Sequence, residues 1–166
     1  MQPRRLLVIR HARAGQAASD ASRPLTDQGV HHAEALGAWL DAHELRPDAA
    51  LVSSALRAVQ TWEALARGGG WDVAPEVSQG LHAAEPESAL DLVRETGDVA
   101  RTLVLVGHNP TMGSLSQLLD DGEGDAAAGA ELAAGGFPPG AVAAFEHDGG
   151  WADLSWGSAR LVAYHS

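Results

Sequence analysis

Residues 4–15 read RRLLVIRHARAG, in which four large apolar side chains, Leu6 to Ile9, run directly into Arg10, His11 and Arg13. A short unbroken apolar run bounded by polar residues fits a strand covered on both faces. Basic side chains gathered where such a strand ends point to an anionic ligand. Two other stretches repeat the pattern of apolar run and polar break: AALVSS at 49–54, leading into ALRAVQT at 55–61, and TLVLVGHNP at 102–110.

Helical spacing fills the intervals. Val30, Ala33, Leu36, Gly37 and Leu40 fall on one face behind a Thr26 cap. Ala55, Val59, Trp62 and Ala66 do the same before the glycines at 68–70. Pro86 opens a helix expected to reach Thr96, and Thr111 to Leu119 forms another. Strands alternating with helices predict an α/β fold: a three-layer α/β/α sandwich with a mostly parallel central sheet, in one domain over residues 1–166. DVAPEV, 72–77, is expected at an edge, and the Ala- and Gly-rich acidic stretch 120–136 as a surface loop with at most a helical turn. A hairpin is expected around Asp148 and Gly149, with ARLVAYH, 159–165, as the closing strand.

Composition narrows the chemistry. The chain has 166 residues, no cysteine and eleven basic residues that are all arginine. Thiolate metal sites, cysteine nucleophiles, a P-loop lysine and a Schiff-base lysine are thereby excluded. A net charge of −11 argues against a nucleic-acid partner. No apolar stretch approaches the roughly 18 residues needed to span a bilayer, so no membrane partner is expected, and the absence of cysteine fits a cytoplasmic setting. Asp120–Asp125, DDGEGD, lacks the glycine and glutamate spacing of a calcium loop. No zinc pattern is present, and no metal or other cofactor is expected.

If the three strands are neighbours, Arg10, His11, Arg57 and His108 meet in one crevice beyond their carboxyl ends. Two guanidinium forks and two imidazoles suit a phosphoryl group, whose oxygens require several directed donors. Asn109 and Arg13 are further candidates for contact with the phosphate. Arg4, Arg5, His31, His32, His43, His147 and His165 are expected at the surface, and Trp39, Trp62, Trp71, Trp151 and Trp156 in packing.

RHARAG and RPLTDQG near the start, SSALRAVQTWE in the middle and LVLVGHNPTM late stand in the order shown by the histidine phosphatase superfamily, the phosphoglycerate-mutase-like proteins, which this chain resembles. The resemblance is nearest to the short SixA-type branch. It implies a metal-independent phosphatase with His11 as nucleophile and with Arg10, Arg57 and His108 forming the phosphate pocket, His108 compensating charge if protonated. Ala12 stands where the family often has glycine. The family's general acid is a glutamate after a later strand, for which Glu85 is the first candidate here and His82 the second. The resemblance implies a phosphorylated protein, bearing phosphohistidine, as substrate. A small phosphomonoester is the alternative, and a phosphate-binding protein without catalysis the rival from another class. A nucleotide-binding regulator would need a glycine-rich loop after the first strand, which RHARAG is not.

Overall fold

Six strands form one sheet in the order β3-β2-β4-β1-β5-β6 in a computed structural model describing residues 2–166. β1 (Arg4–Arg10), β2 (Ala49–Ser53), β3 (Glu76–Ser78) and β4 (Thr102–Gly107) are mutually parallel. β5 (Val142–His147) runs antiparallel to β1 and to β6 (Arg160–His165). Alternate residues of the central strands feed two cores. Leu7, Ile9, Val52, Val104 and Val106 pack beneath α1 (Asp27–Ala42) and α2 (Leu56–Gly69). Leu6, Val8, Leu51, Leu103 and Leu105 face α3 (Pro86–Arg94), α4 (Thr111–Leu119) and α5 (Ala126–Ala134). This is the expected α/β/α sandwich, and among the described residues no helix is long and apolar enough to cross a membrane.

The local signals read from the sequence explain several boundaries. Thr26 caps α1 by accepting from Gly29 N at 3.0 Å, Pro86 opens α3, and Gly70, with φ of 70°, ends α2. α1 and α2 cross closely because Gly37 has no side chain: a Cβ there would lie 2.1 Å from Leu65 O. That crossing fixes α2, which carries Arg57, against the helix that follows His11.

The structure corrects four expectations. The stretch 120–136 contains α5, nucleated where Asp125 accepts from Ala128 N at 2.8 Å and anchored by buried Ala128 and Leu132. No tight hairpin forms at Asp148 and Gly149. Trp151 is fully buried instead, donating its indole N–H to Ala100 O at 2.9 Å, and the chain makes a 3-10 turn at Trp151–Asp153 before β6. Arg4 lies buried within β1, where its guanidinium donates to Gly149 O and Asp98 O at 2.9 and 3.0 Å. His147 is buried as well, between Ser158 O and Gly150 O. Of the tryptophans, Trp156 is exposed, while Trp39 stacks on His43 and His165 with ring centroids 4.0 and 4.4 Å away.

Candidate active site

β1 and β4 lie side by side, with Arg10 in register with Gly107. Their onward helices leave to opposite faces, α1 to one core and α4 to the other. Such a divergence opens a crevice beyond the carboxyl ends of parallel strands. His11 and His108 stand at its two lips with ring centroids 5.2 Å apart, and His11 N donates to Gly107 O at 2.9 Å. Arg57 enters from the first turn of α2 with its side chain buried.

His11 is held as one tautomer. Its Nδ1 lies 2.7 Å from Ala12 O, and since a carbonyl can only accept, the proton sits on Nδ1 and the lone pair on Nε2. Nε2 takes no hydrogen bond from the protein among the described residues. Ala12 N in turn donates to Thr61 Oγ1 at 3.0 Å, and that hydroxyl donates to Arg57 O at 2.7 Å. One threonine on α2 thus anchors Ala12, the residue whose carbonyl holds the imidazole. The backbone after His11 also rests on the first turn of α1, where a Cβ on Gly29 would lie 2.3 Å from Arg13 O.

His108 is oriented in the same manner. Ser53 Oγ accepts from Ala55 N at 3.3 Å and lies 2.7 Å from His108 Nε2; when the serine proton is turned to the ring, the imidazole proton stands on Nδ1. That Nδ1 is buried without a partner, as are Arg10 Nε and Arg57 Nε. A buried polar atom left unpaired costs about 1–3 kcal/mol, and three of the four such side-chain atoms among the described residues belong to residues at this crevice. Of the terminal guanidinium nitrogens, Arg10 Nη1 donates to Phe137 O at 3.0 Å, and Arg57 Nη1 and Nη2 donate to Asp20 O and Asp20 Oδ2 at 2.7 and 3.1 Å.

Burial, reinforced by Arg57 and Arg10, pushes His11 down from 6.5 to about 4 despite the opposing pull of Ala12 O. His108 falls to about 3, again chiefly through burial and then through the charges of His11 and Arg57. The His108 ring is therefore uncharged near neutral pH in the free protein. An unfolded chain protonates both rings near 6.5, so the fold loses stability as pH drops below that value and gains nothing from these groups above it. Titration of the ring resonances checks the assignment, with midpoints expected near 4 for His11 and 3 for His108. A His11 midpoint near 6.5 would contradict a nucleophile that stays neutral through mildly acidic pH.

Sequence and structure comparisons bear on the same crevice. The model of the histidine phosphatase superfamily (branch 1) matches residues 6–84. The Mycobacterium tuberculosis protein Rv1276c is 36% identical over 159 residues, covering 95% of this chain and 98% of that one. Phosphohistidine phosphatase SixA of Escherichia coli is 32% identical over 124 residues, covering 71% of this chain and 75% of that one. The chain belongs to the histidine phosphatase superfamily, in its SixA-type branch. A structure described as phosphohistidine phosphatase SixA from Nakamurella multipartitia superposes with a TM-score of 0.88 at 32% identity, covering 100% of this chain and 97% of that one. The chain is thus a phosphatase of this superfamily with the phosphoglycerate-mutase-like fold.

Of the residues singled out from the sequence, Arg10, His11, Arg57 and His108 come together in this SixA-type crevice. Asn109 donates one amide proton to Phe137 O at 2.8 Å and its oxygen accepts from Gly113 N at 3.1 Å, so the side chain is held in the turn before α4. Arg13 is exposed and turned toward α1, donating to Gln28 Oε1 at 3.3 Å. Glu85 is exposed at the start of α3 and makes no capping bond. Sequence reading missed Asp20, Ser53 and Thr61. Thr61 carries a legible signal, since it lies four residues after Arg57 and hence on the same helix face. Asp20 sits in a loop between two elements and carries none. Among the described residues, no group of three or more His, Asp or Glu side chains is arranged to hold a metal ion.

Proposed function

We propose that this phosphatase hydrolyses phosphoryl groups through a covalent phosphohistidine on His11, without a metal ion, and that its substrate is phosphohistidine in a protein. The observation that carries the reading is the meeting of Arg10, Arg57 and His108, each with a buried nitrogen that has no protein partner, beside His11, whose Nε2 lone pair is free of protein partners among the described residues. Nε2 attacks phosphorus in line, the three donors hold the equatorial oxygens as charge develops, and water then cleaves the phosphohistidine. His11 departs as a neutral imidazole because Nδ1 already carries a proton, so its own release requires no acid.

The substrate class follows from the other leaving group. An imidazole, of ordinary pKa about 6.5, is expelled more readily than an alkoxide and places a modest demand on proton donation. SixA of Escherichia coli bears the name phosphohistidine phosphatase, which agrees with this choice. The test is to compare kcat/KM on a phosphohistidine-bearing protein and on p-nitrophenyl phosphate, in the presence of a chelator. Preference for the phosphoprotein by about 100-fold or more, undiminished by chelation, is expected. Better turnover of the ester would move the substrate to small phosphomonoesters, and activity abolished by chelation would end the metal-free mechanism.

A further inference from the structure

His11 and His108 are both neutral in the free enzyme, and the single ring proton of each is committed, to Ala12 O in one case and to the phosphate site in the other. Neither can protonate a departing group. Asp20 cannot do so either, because hydrogen bonds from Arg57 and then from His82 hold its carboxyl down at about 2. A protein donor, where departure demands one, is then another residue at the rim.

His82 is placed for that work. It follows the 3-10 turn Gln79–Leu81, whose Leu81 is buried in the core and so fixes where the turn lies. The ring stands 5.4 Å from that of His108, centroid to centroid, and Nε2 lies 3.4 Å from Asp20 Oδ2. A carboxylate facing one nitrogen of an imidazole orients the ring and stabilises its protonated form when charge develops. Nδ1 has no protein partner among the described residues. The side chain is 32% exposed, open enough to exchange its proton with water after each turnover. Glu85, three residues on, makes no side-chain hydrogen bond or ion pair among the described residues that would hold it toward the crevice.

We propose that His82, oriented by the Asp20 carboxylate, is the general acid that protonates the leaving group, an assignment that rests on His11 being the nucleophile. In the first step the bond between phosphorus and the leaving atom breaks as the bond to His11 Nε2 forms, and the imidazolium of His82 passes its proton to the departing nitrogen or oxygen. In the second, water attacks phosphorus, its proton returns to His82, and His11 leaves neutral with its Nδ1 proton in place. Phosphate is released and both histidines regain their starting forms.

The dependence on leaving group tests the assignment. The wild type, His82→Ala and His82→Gln are compared on phenyl phosphate, whose phenol has a pKa of about 10, and on p-nitrophenyl phosphate, whose phenol is far more acidic. Loss of a general acid costs on the order of 100-fold or more where departure demands a proton and little where it does not. Both variants are therefore expected to lose about 100-fold in kcat/KM on phenyl phosphate and less than about 10-fold on p-nitrophenyl phosphate. The surviving activity also shows that the pocket has folded. Equal losses on the two esters, with label from the p-nitrophenyl ester still trapped on His11, overturn the His82 assignment alone. A leaving-group-dependent loss found in Glu85→Gln and absent from the His82 variants moves the donor to Glu85. Failure to trap any phosphoenzyme with the wild type overturns the nucleophile and this inference together.

Discussion

Replacing His11 by alanine is expected to lower kcat by at least about 10⁴-fold while leaving the affinity for inorganic phosphate within about 10-fold of wild type. The two halves of this result have separate origins. Catalysis is lost because the Nε2 lone pair is held in the right tautomer by Ala12 O, and a water molecule in its place is neither positioned nor fixed by such a carbonyl. Binding survives because the donors that receive the oxyanion belong to Arg10, Arg57 and His108, whose positions are set by Phe137 O, Asp20 and Ser53. Single-turnover measurements on p-nitrophenyl phosphate together with calorimetric titration by phosphate separate the two. A variant within 10-fold of the wild-type rate would place the nucleophile elsewhere. Phosphate affinity retained by a wild-type protein that turns nothing over would identify a binding protein in place of an enzyme.

The parts of this site legible in the sequence are those tied to regular elements. Arg10 and His11 end β1, His108 ends β4 and Arg57 lies in the first turn of α2, so the parallel order of the strands is enough to bring them together. What supports them was hidden for a physical reason. Asp20 reaches Arg57 across 37 positions from a 3-10 turn before α1, and Ser53, at the end of β2, reaches His108 across 55; hydrophobic periodicity encodes neither polar pairing. The same limit explains the fold corrections. Arg4 is buried because two carbonyls, 94 and 145 positions away, accept its guanidinium. α5 was hidden by composition: its alanines favour a helix, but only Ala128 and Leu132 are buried, too few for a visible apolar stripe.

Arg57→Ala is expected to cost about 10²- to 10³-fold in kcat/KM, the usual consequence of removing one prearranged donor from a developing oxyanion. The loss has a second source in this fold. Arg57 donates from both terminal nitrogens to Asp20, which leaves Nε and one proton on each terminal nitrogen for the phosphoryl group. Deleting it removes a donor and at the same time releases a carboxylate beside an incoming dianion. The two contributions separate in a cycle measured on p-nitrophenyl phosphate, where departure requires little protonation. Asp20→Asn alone loosens the grip on Arg57 and is expected to raise KM by about 10-fold. Combined with Arg57→Ala, it is expected to restore part of the lost activity, because the freed charge is gone. Arg57→Lys does not recover the wild-type rate, since a lone ammonium cannot hold Asp20 through two nitrogens and donate to phosphate through a third. Full additivity of the two losses would show that Asp20 does no more than shape its loop, and an Arg57→Ala variant within a few-fold of wild type would remove Arg57 from the phosphate site altogether.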